Sequence, residues 1–148
     1  MTADSQQQIQ QLQQTVQNGP FYQELVRRFG KAESCKATLD GTMVKLKFAF
    51  HHEARLEAKV DSAIEYSEQS VEMHGLNHDT ALELLKKGAG DAFGEQGCGI
   101  DWGKSTDEPA GKDPEMHAKV YRGTSCNCQA RVVFRGKTVM TLLLSSSC

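Results

Sequence analysis

The chain has 148 residues, a formal net charge of −2, and 39% hydrophobic against 24% charged residues. That length and balance fit one folded domain with a normal core and exclude an intrinsically disordered chain. Lysine and arginine are scattered, with Arg27-Arg28 and Lys86-Lys87 as the adjacent basic pairs, so the concentrated footprint needed to displace counterions from duplex nucleic acid is missing.

The opening residues Met1 to Gln8 carry neither a basic nor an apolar leader, and the apolar run Val139 to Leu144 is too short to cross a bilayer. Five cysteines, an odd number without a leader, favour free thiols in a reducing cytosol over a disulfide framework. A cytoplasmic protein with no membrane association is the expectation.

In chain order, Gln6 to Asn18 is rich in glutamine, with Ile9, Leu12 and Val16 at spacings of three and four. That pattern predicts a helix with a narrow apolar stripe, too short for a stable coiled coil. Asn18-Gly19-Pro20 stops it, and a second helix follows from Phe21 to Phe29, ended by Gly30. Residues 1–30 thus form a helical segment that docks on the domain or on a partner, ahead of an α+β domain over 31–148.

Strand patterns then take over. Cys35 to Leu39 precedes an Asp40-Gly41 turn. Val44, Leu46, Phe48 and Phe50 alternate with Lys45, Lys47 and Ala49, and the alternation resumes over Leu56, Ala58 and Val60. These runs predict antiparallel hairpins with one wet, charge-paired face. Ser62 to Leu76 is read as strand, although Ser62-x-x-Glu65 also fits a capping box. A helix is predicted over Asn77 to Lys87, with Leu82, Leu85, Ala89 and Phe93 as its stripe and Gly88 and Gly90 loosening its last turn.

Gly97 to Trp102 reads as a short strand and Lys104 to Pro114 as a loop. Met116–Arg122, Cys128–Arg135 and Thr138–Ser145 close the chain as three more strands, the last of them covered on both faces or central in the sheet. Cys35-Lys-Ala-Thr-Leu and Cys128-Gln-Ala-Arg-Val open similar hairpins, which reflects common hairpin grammar, not duplication. The expected fold is α+β: an antiparallel sheet of six to seven strands packed by one central helix, with two N-terminal helices.

The candidate chemistry centres on sulfur. Cys98, Cys126, Cys128 and Cys148, with His117 as an added ligand, are the residues that could hold zinc or an iron–sulfur cluster, or exchange disulfides. Against this, Cys126-x-Cys128 in an extended strand puts its sulfurs roughly 7 Å apart, too far to share an ion tightly. If Cys128 opens a strand with Ala130, Val132 and Phe134 facing the core, it packs as a small hydrophobe. His51-His52 fall at a hairpin tip, and His74 with His78 straddle a helix boundary, so neither pair reads as a metal site.

Gly103-Lys104-Ser105 lacks the upstream glycine and the downstream helix of a phosphate-binding loop. Glu65, Glu68 and Glu72 read as a solvated face. No nucleophile–base pair stands out, so catalysis is not expected.

The expectation is a small non-catalytic binding or interaction domain without a cofactor. It would use a sheet–helix groove and the amphipathic N-terminal helix, through Leu12 and Val16, with Trp102 and Tyr121 beside the long loop. Its partner would be a small molecule or a protein, and self-association through the first helix or a sheet edge would make it a homo-oligomer. The competing expectation is the thiol protein with zinc or an iron–sulfur cluster.

Overall fold

A computed structural model describes residues 3–93 and 97–147. Two helices, α1 (Ala3–Gln17) and α2 (Pro20–Phe29), lead into four strands: β1 (Ser34–Asp40), β2 (Met43–Ala49), β3 (Arg55–Asp61) and β4 (Tyr66–Glu72). Helix α3 (His78–Phe93) follows, then β5 (Thr106–Pro109), β6 (Met116–Arg122), β7 (Gln129–Arg135) and β8 (Thr138–Ser147). All eight strands form one antiparallel sheet in the order β1-β2-β3-β4-β8-β7-β6-β5.

The sheet is therefore two four-stranded meanders that meet where β4 pairs β8. Chain order explains it: each meander is built from short hairpins, and α3 carries the chain across to start the second meander at the far edge. β8 lies inside the sheet, which accounts for its near-continuous apolar run. β1–β2 occupies one edge while β7–β8 lies inside, so the two similar Cys-x-Ala hairpins hold unrelated places.

Eight strands exceed the expected six to seven, and β5 is the one unforeseen. Its sequence, Thr-Asp-Glu-Pro, has no apolar alternation, and it is held by pairing to β6 alone. The strand expected over Gly97 to Trp102 is instead a 3₁₀ turn at Gly97–Gly99. Ser62 to Leu76 resolves into a turn and then β4, without a helix. α3 runs past Gly88 and Gly90 to Phe93, so those glycines do not end it.

Along β2, β3, β7 and β8 the alternation turns an apolar row to the helices, whereas Ala118 and Val120 of β6 are buried on the opposite face, paired with Val133 and Arg131. Val44, Leu46, Phe48, Leu56, Ala58, Val71, Leu142, Leu144, Ala130, Val132 and Phe134 are buried on the covered side, in one cluster with Val16, Phe21, Leu25 and Leu85. Tyr22 of α2 meets Phe48 and Phe50 edge-on, with centroids 5.1 and 5.6 Å apart. On the bare side Lys45 reaches Glu57 at 3.1 Å and Lys59 reaches Glu68 at 3.4 Å, a cross-strand charge ladder.

α3 sits very close to the sheet. A Cβ at Gly88 would lie 2.7 Å from Leu144 Cδ1 and 2.9 Å from the Phe21 ring. Glycine here serves close approach of α2, α3 and β8, not helix termination.

Candidate functional site: a cleft beneath the first helix

The stripe on α1 is only three residues deep, and it does not seat evenly. Ile9 and Val16 are buried, at 8% and 1% exposure, while Leu12 between them is only half-buried. Position 12 lies on the same helix face as 9 and 16, so the helix is anchored at both ends and spans a gap at its middle. That gap is a cleft of about 320 Å³ lined by Gln8, Gln11, Leu12, Thr15, Thr42, Val44, Val60 and Ser62.

The chemistry of the lining is specific. Leu12, Val44 and Val60 give an apolar floor and roof, and the five remaining residues are amides and hydroxyls. No ionisable side chain lines it. The nearest charge is the Asp61 carboxylate, which accepts from the Thr42 hydroxyl at 2.6 Å, so an anionic guest would lose its hydration without a counter-charge. Leu12 and Val60 also border a smaller void of about 30 Å³, whose lining adds Ala58, Lys59, Ser67, Glu68, Gln69 and Leu144.

Register puts Gln69 opposite Ala58 and Leu144, and Ser67 opposite Val60 and Ser146, all on the helix-covered side. Ser67 and Ser146 hydroxyls lie 3.0 Å apart. Polar side chains thus break the covered face of β4 directly behind the cleft. A well-packed core strand has no use for an amide there, and a site that orients a hydrogen-bonding guest does.

Of the residues singled out in the sequence, Leu12 alone lines this cleft. Val16 is wholly in the core. Trp102 and Tyr121 come together with ring centroids 5.5 Å apart, but Tyr121 is 4% exposed and Trp102 packs on the core, so they form a wall and not a pocket. Burial raises the Tyr121 phenol, with Asp107 adding to the effect and a hydrogen bond with Ser105 opposing it. The supposed loop beside them contains β5.

The expectation of free thiols is corrected. Cys98 and Cys128 form a disulfide with Cα atoms 6.1 Å apart. Cys126 is also disulfide-bonded. Sulfurs bonded to each other offer no thiolate to a metal, and among the described residues no group of three or more His, Cys, Asp or Glu is placed to hold one. His117 stacks on Phe134, with centroids 5.0 Å apart, away from any such group.

Cys128 is buried on the core side as expected, at 1% exposure. Cys126 does not share that side, because it lies in the β6–β7 turn with φ +53°. Cys35, exposed on β1, is a free thiol, and partial desolvation pushes its pKa up. Cys148 lies outside the described residues.

The disulfide has a clear mechanical place. It ties the turn after α3 to the end of the β6–β7 loop, where Thr124 N–H also donates to Cys98 C=O at 3.0 Å. It closes a sequence separation of 30 residues, and bridges of that span contribute about 2–4 kcal/mol. Cys128 is buried, whereas its partner Cys98 is only half-buried.

The residues that sequence reading missed are Val44 and Val60, which it assigned to strand packing, Ser62, which it read as the start of a strand, and Thr42, which it did not single out. The signal that could have found them is the glutamine-rich back of α1 combined with the polar Ser67 and Gln69 on β4. No family model matches this chain, and neither does any curated protein or solved structure. No helix among the described residues is long and apolar enough to cross a membrane.

Proposed function

We propose that this protein is a non-catalytic carrier or sensor of a neutral, amphiphilic small molecule, held in the cleft between α1 and the β2–β3 part of the sheet. The observation that carries this is the uncharged lining of a cleft of about 320 Å³ under a helix fixed at Ile9 and Val16. That volume falls at the low end of small-molecule sites, about 300–1,000 Å³. The apolar body of the guest would lie against Leu12, Val44 and Val60. Its hydroxyl or amide would meet Gln8, Gln11, Thr42 or Ser62, and α1 would flex to admit it.

The compartment follows from the sulfur chemistry. The cytoplasmic expectation rested on the odd thiol count and the missing leader, and the Cys98–Cys128 bond weakens the first of these grounds. Disulfides persist in oxidising surroundings. We therefore place the protein in an oxidising compartment.

Titration with Nile red, a neutral solvatochromic dye, tests the reading. The dye's emission should rise and shift to the blue with the parent protein, and Leu12→Glu should abolish the change while leaving the circular dichroism intact. Equal enhancement by parent and Leu12→Glu would end the proposal.

A further inference from the structure

The two edges of the sheet are built differently. β5 is four residues long, ends in Pro109, and has Glu108 engaged by Arg122 at 2.7 Å. Proline, shortness and charge are the usual ways of closing an edge to further pairing. β1 is neither short nor broken by proline, and its two charges, Lys36 and Asp40, make no ion pair among the described residues. It pairs β2 without a bulge over seven consecutive residues, Ser34 to Asp40, and all but one of them are exposed. Its outer row of N–H and C=O groups is ready to accept another strand.

Charge says which strand fits. Along the bare face of β1 run Ser34, Lys36, Thr38 and Asp40. Lys36 stands directly opposite Lys47 of β2, a like-charge pair, and among the described residues neither amine lies within ion-pair distance of a carboxylate. A second β1 arriving antiparallel, with Thr38 on the two-fold axis, sets Lys36 opposite the partner's Asp40 and Asp40 opposite the partner's Lys36. On the other face, Ala37 meets the partner's Leu39, extending the apolar rows of β2. Sliding the axis to Lys36 or Asp40 brings like charges together, and the axes at Ala37 and Leu39 leave both charges unmatched.

We propose that β1 is an interaction surface for a second copy of this chain, paired edge to edge with Thr38 at the axis, so that two sheets join into one. This goes beyond the cleft reading and does not depend on it, since it is read by mass and not by ligand. Seven residues a side is well below the 20–30 or so of a standard interface, so the dimer forms reversibly and depends on concentration.

Two experiments bear on it. In sedimentation, the parent should pass reversibly from the 16.3 kDa chain to twice that mass as its concentration rises to about 1 mM. Lys36→Asp should weaken association about tenfold, because both cross-axis pairs become repulsive. The swap Lys36→Asp with Asp40→Lys should restore it. Folding of these variants is not at risk, since Lys36→Asp replaces a like-charge contact with Lys47 by an attractive one.

Separately, Thr38→Cys in a Cys35→Ser background should give a covalent dimer on mild oxidation, because opposed residues about 4.5–5.5 Å apart lie within disulfide reach. Lys36→Cys in the same background, facing the partner's Asp40, should cross-link at least tenfold less. A parent that stays monomeric throughout, a charge reversal without effect, or cross-linking no faster at 38 than at 36 would each overturn the proposal.

Discussion

One face of one sheet carries two kinds of helix interface. Under α3 the contact is so close that only glycine fits at position 88. Under α1, a few strands away, Leu12 overhangs open space. Both helices are amphipathic, but α3 presents Ala81, Leu84, Leu85, Gly88 and Ala89 as a broad buried band, whereas α1 presents a single file. A broad stripe lets small residues bring the backbone close to the sheet. A narrow one, backed by glutamines that gain nothing from burial, holds the helix at a distance. The tight interface carries stability, and the loose one is where we propose that a guest binds.

Substitutions on the two sides should separate sharply. Leu85→Ala, in the close-packed interface, should cost about 2–5 kcal/mol in urea unfolding, because its neighbours cannot collapse into the void. Leu12→Ala should cost less than about 1 kcal/mol, since the leucine already borders a cavity, and should instead weaken dye binding. Similar losses from both would erase the contrast.

The joint change Cys98→Ser and Cys128→Ser should lower stability by about 2–4 kcal/mol without altering dye affinity, since the bridge clamps the β6–β7 loop and not the cleft. Calorimetry of the parent with reductant should show a loss at least as large, because Cys126 is disulfide-bonded too.

Gly88→Ala and Gly90→Ala set two effects against each other on one helix. Alanine gains up to about 1 kcal/mol of helix propensity at either site. At position 88 overpacking against Leu144 and Phe21 costs about 1–3 kcal/mol, so the net change is destabilising. At position 90 nothing lies within 4 Å of the new methyl, and the variant should be more stable than the parent.

The smallest effect appears in alkali. Desolvation, with a hydrogen bond to Glu68 and that carboxylate's charge, pushes Tyr66 up to about 12. The folded value lies above the usual 10 or so, so the protonated phenol's contribution is whole below about pH 10 and is lost as pH rises toward 12. Tyr66→Phe should flatten the fall in stability across that window and remove the Glu68 hydrogen bond's share of stability at neutral pH.

Much of this architecture is legible in the residues. Strict alternation from Val44 to Phe50 and from Leu56 to Val60, and the apolar run at Val139, predict strands where strands occur, because burial of one face imposes that period. β5 is illegible for the converse reason: Thr106 to Pro109 is an edge strand with little buried surface, so its sequence bears no imprint of the sheet.

The disulfide is hidden too. Cys98 and Cys128 meet only because α3 crosses the sheet and returns the chain to the β6–β7 loop, a fact of topology that no local spacing records. The cleft was half visible. Leu12 stood out in the helical stripe, but Val44 and Val60 look like any core positions until the helix above them is seen to stand off.

The most direct test is methyl-resolved NMR of the parent protein on addition of 1-decanol, a neutral chain with one hydroxyl. The account predicts saturable shifts confined to Leu12, Val44 and Val60, with Leu85 and Val132 unmoved. Shifts spread evenly over the core methyls, or none at Leu12, would contradict it.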